Sequence, residues 1–204
     1  MKTFVKICGV TSLDDALACC DAGADALGFN FWPQSKRHLS VEQAAIIARR
    51  VPPSVRTVGV FVNPTEEEVD RAFASGAIDL AQLHGDETPD FCRRFAGRYI
   101  KAVRLRDTGS LETLAQYSCD LVLVDADTPG YGGSGQRADV TLAAEAAAAR
   151  RVILAGGLTP DNVAEAIRAV KPYGVDVAGG VEREPGIKDW IKVAAFVKEA
   201  KRNA

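Results

Sequence analysis

Eight times along the chain, a short apolar run is followed by a stretch in which apolar residues recur at helical spacing. No other feature limits the possible folds as strongly. The runs lie at 4–7, 26–31, 57–62, 79–84, 99–103, 121–125, 151–155 and 174–177. Most are continuous rather than alternating, as strands buried on both faces in a parallel sheet must be. Strictly alternating strand and helix implies such a sheet. Eight units favour closure into a single (β/α)8 barrel spanning 1–204, with few insertions at this length. An open doubly wound sheet is the competing fold, but no GxGxxG follows the first run.

Local signals punctuate the units. Ser40 with Gln43 and Thr65 with Glu68 have capping-box spacing, and Ser12 with Asp15 is a weaker version. Thr88-Pro89 and Thr159-Pro160 each offer an N-cap and a first-turn proline. Gly23 and Gly76 stand where helices should end, and Gly97 follows the fourth. A weaker helix is expected over 110–117, an alanine-rich one over 140–149, and a final amphipathic one over 188–201.

Composition narrows the function. The net charge is −2, which argues against a nucleic-acid binder, and Lys36-Arg37-His38 is too short a basic run to alter that. No apolar stretch is long enough for a membrane span, and the N-terminus reads as a strand rather than a signal peptide. A cytoplasmic location is the default. The five cysteines are odd in number and lack CxxC spacing, which suits reduced thiols better than disulfides or a zinc site.

In a barrel, every strand end faces one rim. The rim candidates are Cys8, Arg37, Gln82, His84, Asp125, Gly156-Gly157, Asp176 and Gly179-Gly180. The glycine pairs follow strands seven and eight, where barrels often bind phosphate through backbone N–H groups. A thiol in an electropositive setting can act as a base, and a partly desolvated carboxyl can keep a proton and act as an acid. Cys8 and Asp125 would suit proton removal beside a carbon that is becoming an imine or carbonyl. The planar fork of Arg37 matches a carboxylate or phosphate. Gln82 and His84, two apart on strand four, share a face.

With these residues placed, the chain resembles the phosphoribosylanthranilate isomerase family of tryptophan biosynthesis. The resemblance rests on Val5-Lys6-Ile7-Cys8-Gly9, Gly28-Phe29-Asn30-Phe31 with Ser35-Lys36-Arg37, Gly59-Val60-Phe61-Val62 and Gln82-Leu83-His84-Gly85. Further along it rests on Leu123-Val124-Asp125, Gly132-Gly133-Ser134-Gly135, Leu154-Ala155-Gly156-Gly157-Leu158, and Val175-Asp176-Val177 with Gly180-Val181-Glu182. The chain departs from the family pattern at Ala178-Gly179, where serines are usual, and after Gly135, where Gln136-Arg137-Ala138-Asp139 replaces an aromatic-containing segment.

The resemblance implies an Amadori rearrangement without metal or cofactor, acting on a small-molecule phosphosugar-anthranilate substrate. It implies Asp125 as general acid and Cys8 as general base. It places Arg37 on the anthranilate part, with Gln82, His84 and Asp176 lining the pocket. Gly156, Gly157, Gly179 and Gly180 would hold the phosphate. A monomer or homodimer is expected, with no nucleic-acid or membrane partner. The alternatives are a related phosphate-binding barrel enzyme and a non-catalytic phosphometabolite-binding barrel.

Overall fold

The computed structural model describes residues 2–126 and 140–202. Eight parallel strands close in chain order, β1 (Phe4–Cys8), β2 (Ala26–Asn30), β3 (Arg56–Phe61), β4 (Leu80–Leu83), β5 (Tyr99–Leu105), β6 (Leu121–Ala126), β7 (Arg151–Leu154) and β8 (Gly174–Val177). Closure through the β1–β8 pairing rules out the open sheet. The helices between and after them are α1 (Leu13–Asp21), α2 (Val41–Ala48), α3 (Glu66–Ala74), α4 (Pro89–Arg93), α5 (Thr108–Ala115), α6 (Val140–Ala149), α7 (Val163–Val170) and α8 (Trp190–Arg202). Among the described residues, no helix is long and apolar enough to cross a membrane.

Alternation along each strand divides the core in two. A small inner cluster of Ala26, Val58, Ile100, Ala102, Leu123, Ile153 and Ala155 fills the barrel. A larger cluster, with Val5, Ile7, Leu27, Phe29, Leu83, Val122 and Val124, packs the outward strand faces against the helices. The inward set begins near the N-terminal strand ends with apolar side chains. It finishes at the other end with Cys8, Gln82, Asp125 and Asp176, so the polar groups stand on the floor of an apolar barrel.

The end signals act largely as the sequence suggests. Ser40 and Thr65 form full capping boxes with Gln43 and Glu68, and the Ser12 side chain accepts from the Asp15 N–H. Gly23 and Gly76 take positive φ, the left-handed turn that a side chain would strain. Three helix starts need correction. Helix α5 begins at Thr108 rather than 110, because Asp107 caps it, its Oδ1 accepting from the Ser110 N–H at 3.0 Å. Helix α7 starts at Val163, not at Thr159-Pro160, because Asn162 ties down the preceding turn. Its Oδ1 accepts from the Thr159 N–H at 2.8 Å and its Nδ2 donates to the Gly157 carbonyl at 2.9 Å. Helix α8 starts at Trp190, because Asp189 Oδ1 accepts from the Ile191 and Lys192 N–H groups at 3.0 and 3.1 Å. Lys188 instead belongs to a hairpin absent from the sequence reading, β9 (Glu182–Glu184) paired with β10 (Ile187–Lys188) after the 3₁₀ turn Gly179–Val181.

The N-terminal end of the barrel is held by strand-leading aspartates. Asp25 Oδ2 accepts from the Val5 N–H and Asp79 Oδ2 from the Thr57 N–H, both at 2.8 Å. Lys201 of α8 reaches Asp25 at 3.0 Å and so fastens the last helix to the first strands.

Candidate active site

The C-terminal rim encloses a cavity of about 500 Å³. Every one of the rim candidates borders it: Cys8, Arg37, Gln82, His84, Asp125, Gly156, Gly157, Asp176, Gly179 and Gly180. With Val60 of β3, residues from seven different strands or the loops after them converge on one volume, which is what closure of the sheet accomplishes. Trp32 and Asn30 add an aromatic and an amide from the second strand and its loop.

Cys8 ends β1 and Asp125 stands near the end of β6, with β7 and β8 between them on one side. The two glycine loops follow those intervening strands, so they form the wall between the thiol and the carboxyl. Gly156 and Gly157 have φ of 91° and 62°, and Gly180 packs against the Leu158 carbonyl so closely that a Cβ would collide with it. The backbone of one glycine loop thus lies directly on the other.

Lys6 was not among the rim candidates. It is fully buried on the inward face of β1, two residues below Cys8, and its Nζ donates to Asp176 Oδ1 at 2.9 Å. Its ammonium and the Cys8 sulfur both lie against Gly28 of β2, where no side chain intervenes. Burial pushes the thiol up from its ordinary range, and Asp176 adds to this. The ammonium groups of Lys6 and Lys188 pull the other way but do not win. Cations do stand beside Cys8, yet the thiol is protonated at neutral pH.

Arg37 is fixed by Glu182. Nε donates to Oε1 and Oε2 at 2.9 and 3.2 Å, and Nη2 donates to Oε2 at 2.7 Å. Lys188 Nζ reaches the same carboxylate at 2.8 Å and the Cys8 carbonyl at 2.5 Å. Hydrogen bonds from both cations, with burial opposing them, hold the Glu182 carboxyl below the usual carboxylate range. The β9–β10 hairpin thereby clamps the Arg37 loop to the end of β1. Period-2 spacing was enough to place Lys6 under Cys8. Glu182 closes one of the motifs of the resemblance but was given no role, and nothing local marked Lys188.

His84 is neutral throughout the physiological range. Burial, with Lys6, Lys101 and Arg104 nearby, lowers its pKa to about 3. Gln82 Nε2 lies 2.9 Å from Nδ1 and donates to it, which leaves the ring proton on Nε2. That nitrogen faces Asp125 Oδ2 at 3.7 Å, a dipole approach rather than an ion pair because the ring carries no charge. His84 Nε2 and Gln82 Oε1 are buried and have no hydrogen-bond partner among the described residues. Beneath them a buried Lys101–Glu87 pair at 2.7 Å secures the loop. Lys101 donates to the Leu83 and Gly85 carbonyls at 3.1 and 2.7 Å, on either side of His84.

All five cysteines are free. Among the described residues, no cluster of three or more His, Cys, Asp or Glu side chains could hold a metal ion. The segments 132–135 and 136–139, which the sequence reading singled out, lie outside the described residues.

Fold and cavity define a (β/α)8-barrel protein whose C-terminal rim gathers titratable groups beside two glycine loops. Comparison narrows that class. The family model for N-(5′-phosphoribosyl)anthranilate (PRA) isomerase matches residues 5–199, and the chain belongs to this family. It is 50% identical over 198 residues to the N-(5′-phosphoribosyl)anthranilate isomerase of Pelobacter propionicus, covering 97% of this chain and 95% of the relative. The crystal structure of phosphoribosyl anthranilate isomerase from Thermotoga maritima superposes with a TM-score of 0.92 at 43% identity, covering 98% of this chain and 99% of that one. A further isomerase of this name, solved in complex with reduced 1-(o-carboxyphenylamino)-1-deoxyribulose 5-phosphate, superposes with a TM-score of 0.88 at 39% identity over 98% and 99% of the two chains.

Proposed function

We propose that the protein isomerises N-(5′-phosphoribosyl)anthranilate to 1-(2-carboxyphenylamino)-1-deoxyribulose 5-phosphate by an Amadori rearrangement without a cofactor. The observation that carries this reading is the convergence of Cys8, Asp125 and both glycine loops on one cavity in a chain of this family.

The substrate phosphate sits at Gly156-Gly157 and Gly179-Gly180, where backbone N–H groups can approach it without a side chain intervening. Arg37, oriented by Glu182, offers its remaining N–H groups to the anthranilate carboxylate. Gln82 Oε1 and His84 Nε2, buried and unpaired among the described residues, meet the sugar hydroxyls.

Asp125 donates a proton to the ring oxygen. The C1–O bond breaks and the anthranilate nitrogen lone pair forms C1=N. The Cys8 thiolate then takes the proton from C2, and that electron pair becomes C1=C2 as the C1=N electrons return to nitrogen. The resulting enolamine tautomerises to the ketone, with the hydroxyl proton lost and C1 protonated, so the step is a net isomerisation. Each acid–base contribution is typically worth ~10²–10⁴-fold.

The test is decay of anthranilate fluorescence with freshly formed substrate. The parent protein should consume it rapidly. Cys8→Ala and Asp125→Asn should each fall by at least ~10²-fold while retaining the parent's circular dichroism. Full activity in either variant would overturn that residue's role. Binding of the substrate with no turnover by the parent would leave the non-catalytic barrel.

A further inference from the structure

We infer that Lys6, buried on β1 two residues below Cys8 and bonded to Asp176 on β8, is a positioning residue that holds the Cys8 thiolate in place while it acts as base. The inference rests on the role proposed above for Cys8.

Lys6 and Asp176 are register partners across the β1–β8 seam that closes the barrel. The ammonium has three N–H groups, and Asp176 takes one of them. The rest of the Lys6 ammonium lies on the same inward face of β1 as the Cys8 thiol, two residues along. Gly28, opposite on β2, explains how both atoms fit. A Cβ there would lie 2.8 Å from Cys8 Sγ and 3.1 Å from Lys6 Nζ, so the thiol and ammonium occupy the space that only glycine leaves open.

The charged groups facing Cys8 divide by element. Lys6 lies on its own strand, Asp176 on β8, Lys188 on β10 and Arg37 in the loop after β2. Lys188 and Arg37 share the Glu182 carboxylate, as Lys6 is paired with Asp176. Asp176 disfavours a thiolate. Lys6 shares with the sulfur the space that Gly28 leaves open, and of the cations near Cys8 it acts most strongly on the thiol. Burial opposes the charge on Lys6 itself, but Asp176 and Cys8 outweigh it and hold the ammonium above the ordinary lysine range. The residue is thus a fixed charge and does not itself exchange protons.

The experiment uses the full chain and peptide-resolved alkylation by iodoacetamide across pH, which reads Cys8 ionisation without any turnover. Lys6→Met should move the Cys8 profile up by about one pH unit or more, Lys6→Arg should largely restore it, and Asp176→Asn should move it down. Half-buried Cys20 serves as the internal reference and should stay put. The rising limb of kcat/KM should move with the Cys8 profile in each variant. Should Lys6→Met fail to fold, Asp176→Asn is compared with the Lys6→Met/Asp176→Asn double variant, in which the Cys8 profile should rise again. An unchanged Cys8 profile in folded Lys6→Met, or in the double variant against Asp176→Asn, overturns the inference. An inactive parent would sink the isomerase reading while the alkylation result still decides the role of Lys6.

Discussion

Arg37 and Glu182, 145 residues apart in the chain, form a forked ion pair with nitrogen–oxygen distances of 2.7 to 3.2 Å, at the edge of the cavity. The guanidinium is oriented before any ligand arrives. Glu182→Gln keeps the shape but removes the charge that holds both Arg37 and Lys188. Leaving those cations without their partner should cost about 3 kcal/mol of stability, read as a lowered urea midpoint. In the fluorescence assay KM should rise about tenfold, with a smaller change in kcat. An unchanged KM would detach Arg37 from substrate binding.

The pH profile follows from the signs of two shifts. Cys8 acts as a base only when ionised, and its pKa is raised by burial. Below that pKa, kcat/KM should climb about tenfold per pH unit, and the climb should continue past the ordinary thiol value of about 8.5. His84, with a pKa of about 3, is neutral over the whole working range and should produce no inflection near 6.5. A plateau already reached below pH 7 would contradict the assignment of the thiol.

Gly180 tests how tightly the two glycine loops are joined. A methyl group there would collide with the Leu158 carbonyl, so Gly180→Ala must push the loop after β8 away from the loop after β7. Substrate affinity, and inhibition by inorganic phosphate, should weaken about tenfold or more while the far end of the barrel is untouched. Unaltered phosphate inhibition would move the anion site elsewhere.

The opposite end of the barrel should affect stability alone. Asp25→Ala removes the acceptor for the Val5 N–H and the partner of Lys201. Asp79→Ala removes the acceptor for the Thr57 N–H. Each should lower unfolding free energy by about 1–3 kcal/mol in urea titrations, with kcat/KM at the parent level. A loss of activity without a loss of stability would show coupling between the two ends.

The rim was legible because its logic is periodic. Strands announce themselves as apolar runs, side chains alternate inward and outward, and strand ends share one face once the sheet closes. Cys8, Gln82, Asp125 and Asp176 could therefore be assigned to one site before any contact was known, and the cavity joins them. The start of α7 was misplaced because Thr159-Pro160 carries the usual helix-start signal, while the Asn162 side chain, bonding back to Thr159 and Gly157, holds those residues in a turn. The hairpin was missed because β9 and β10 are too short to show any alternation of their own.

By itself the sequence determined the barrel, its eight units, and the side chains offered to the rim. All of these depend on interactions within one strand–helix unit or on the repeat of such units. The tertiary structure alone decided which charges are buried. Lys101, Lys188, Glu87 and Glu182 carry no local sign of burial, and spacing puts Lys6 inward without naming its partner, since an unpaired charge is seldom taken out of water. Each is tolerated inside because a partner of opposite sign meets it there. For Lys6 that partner is 170 residues away, and only closure of the sheet brings the two together.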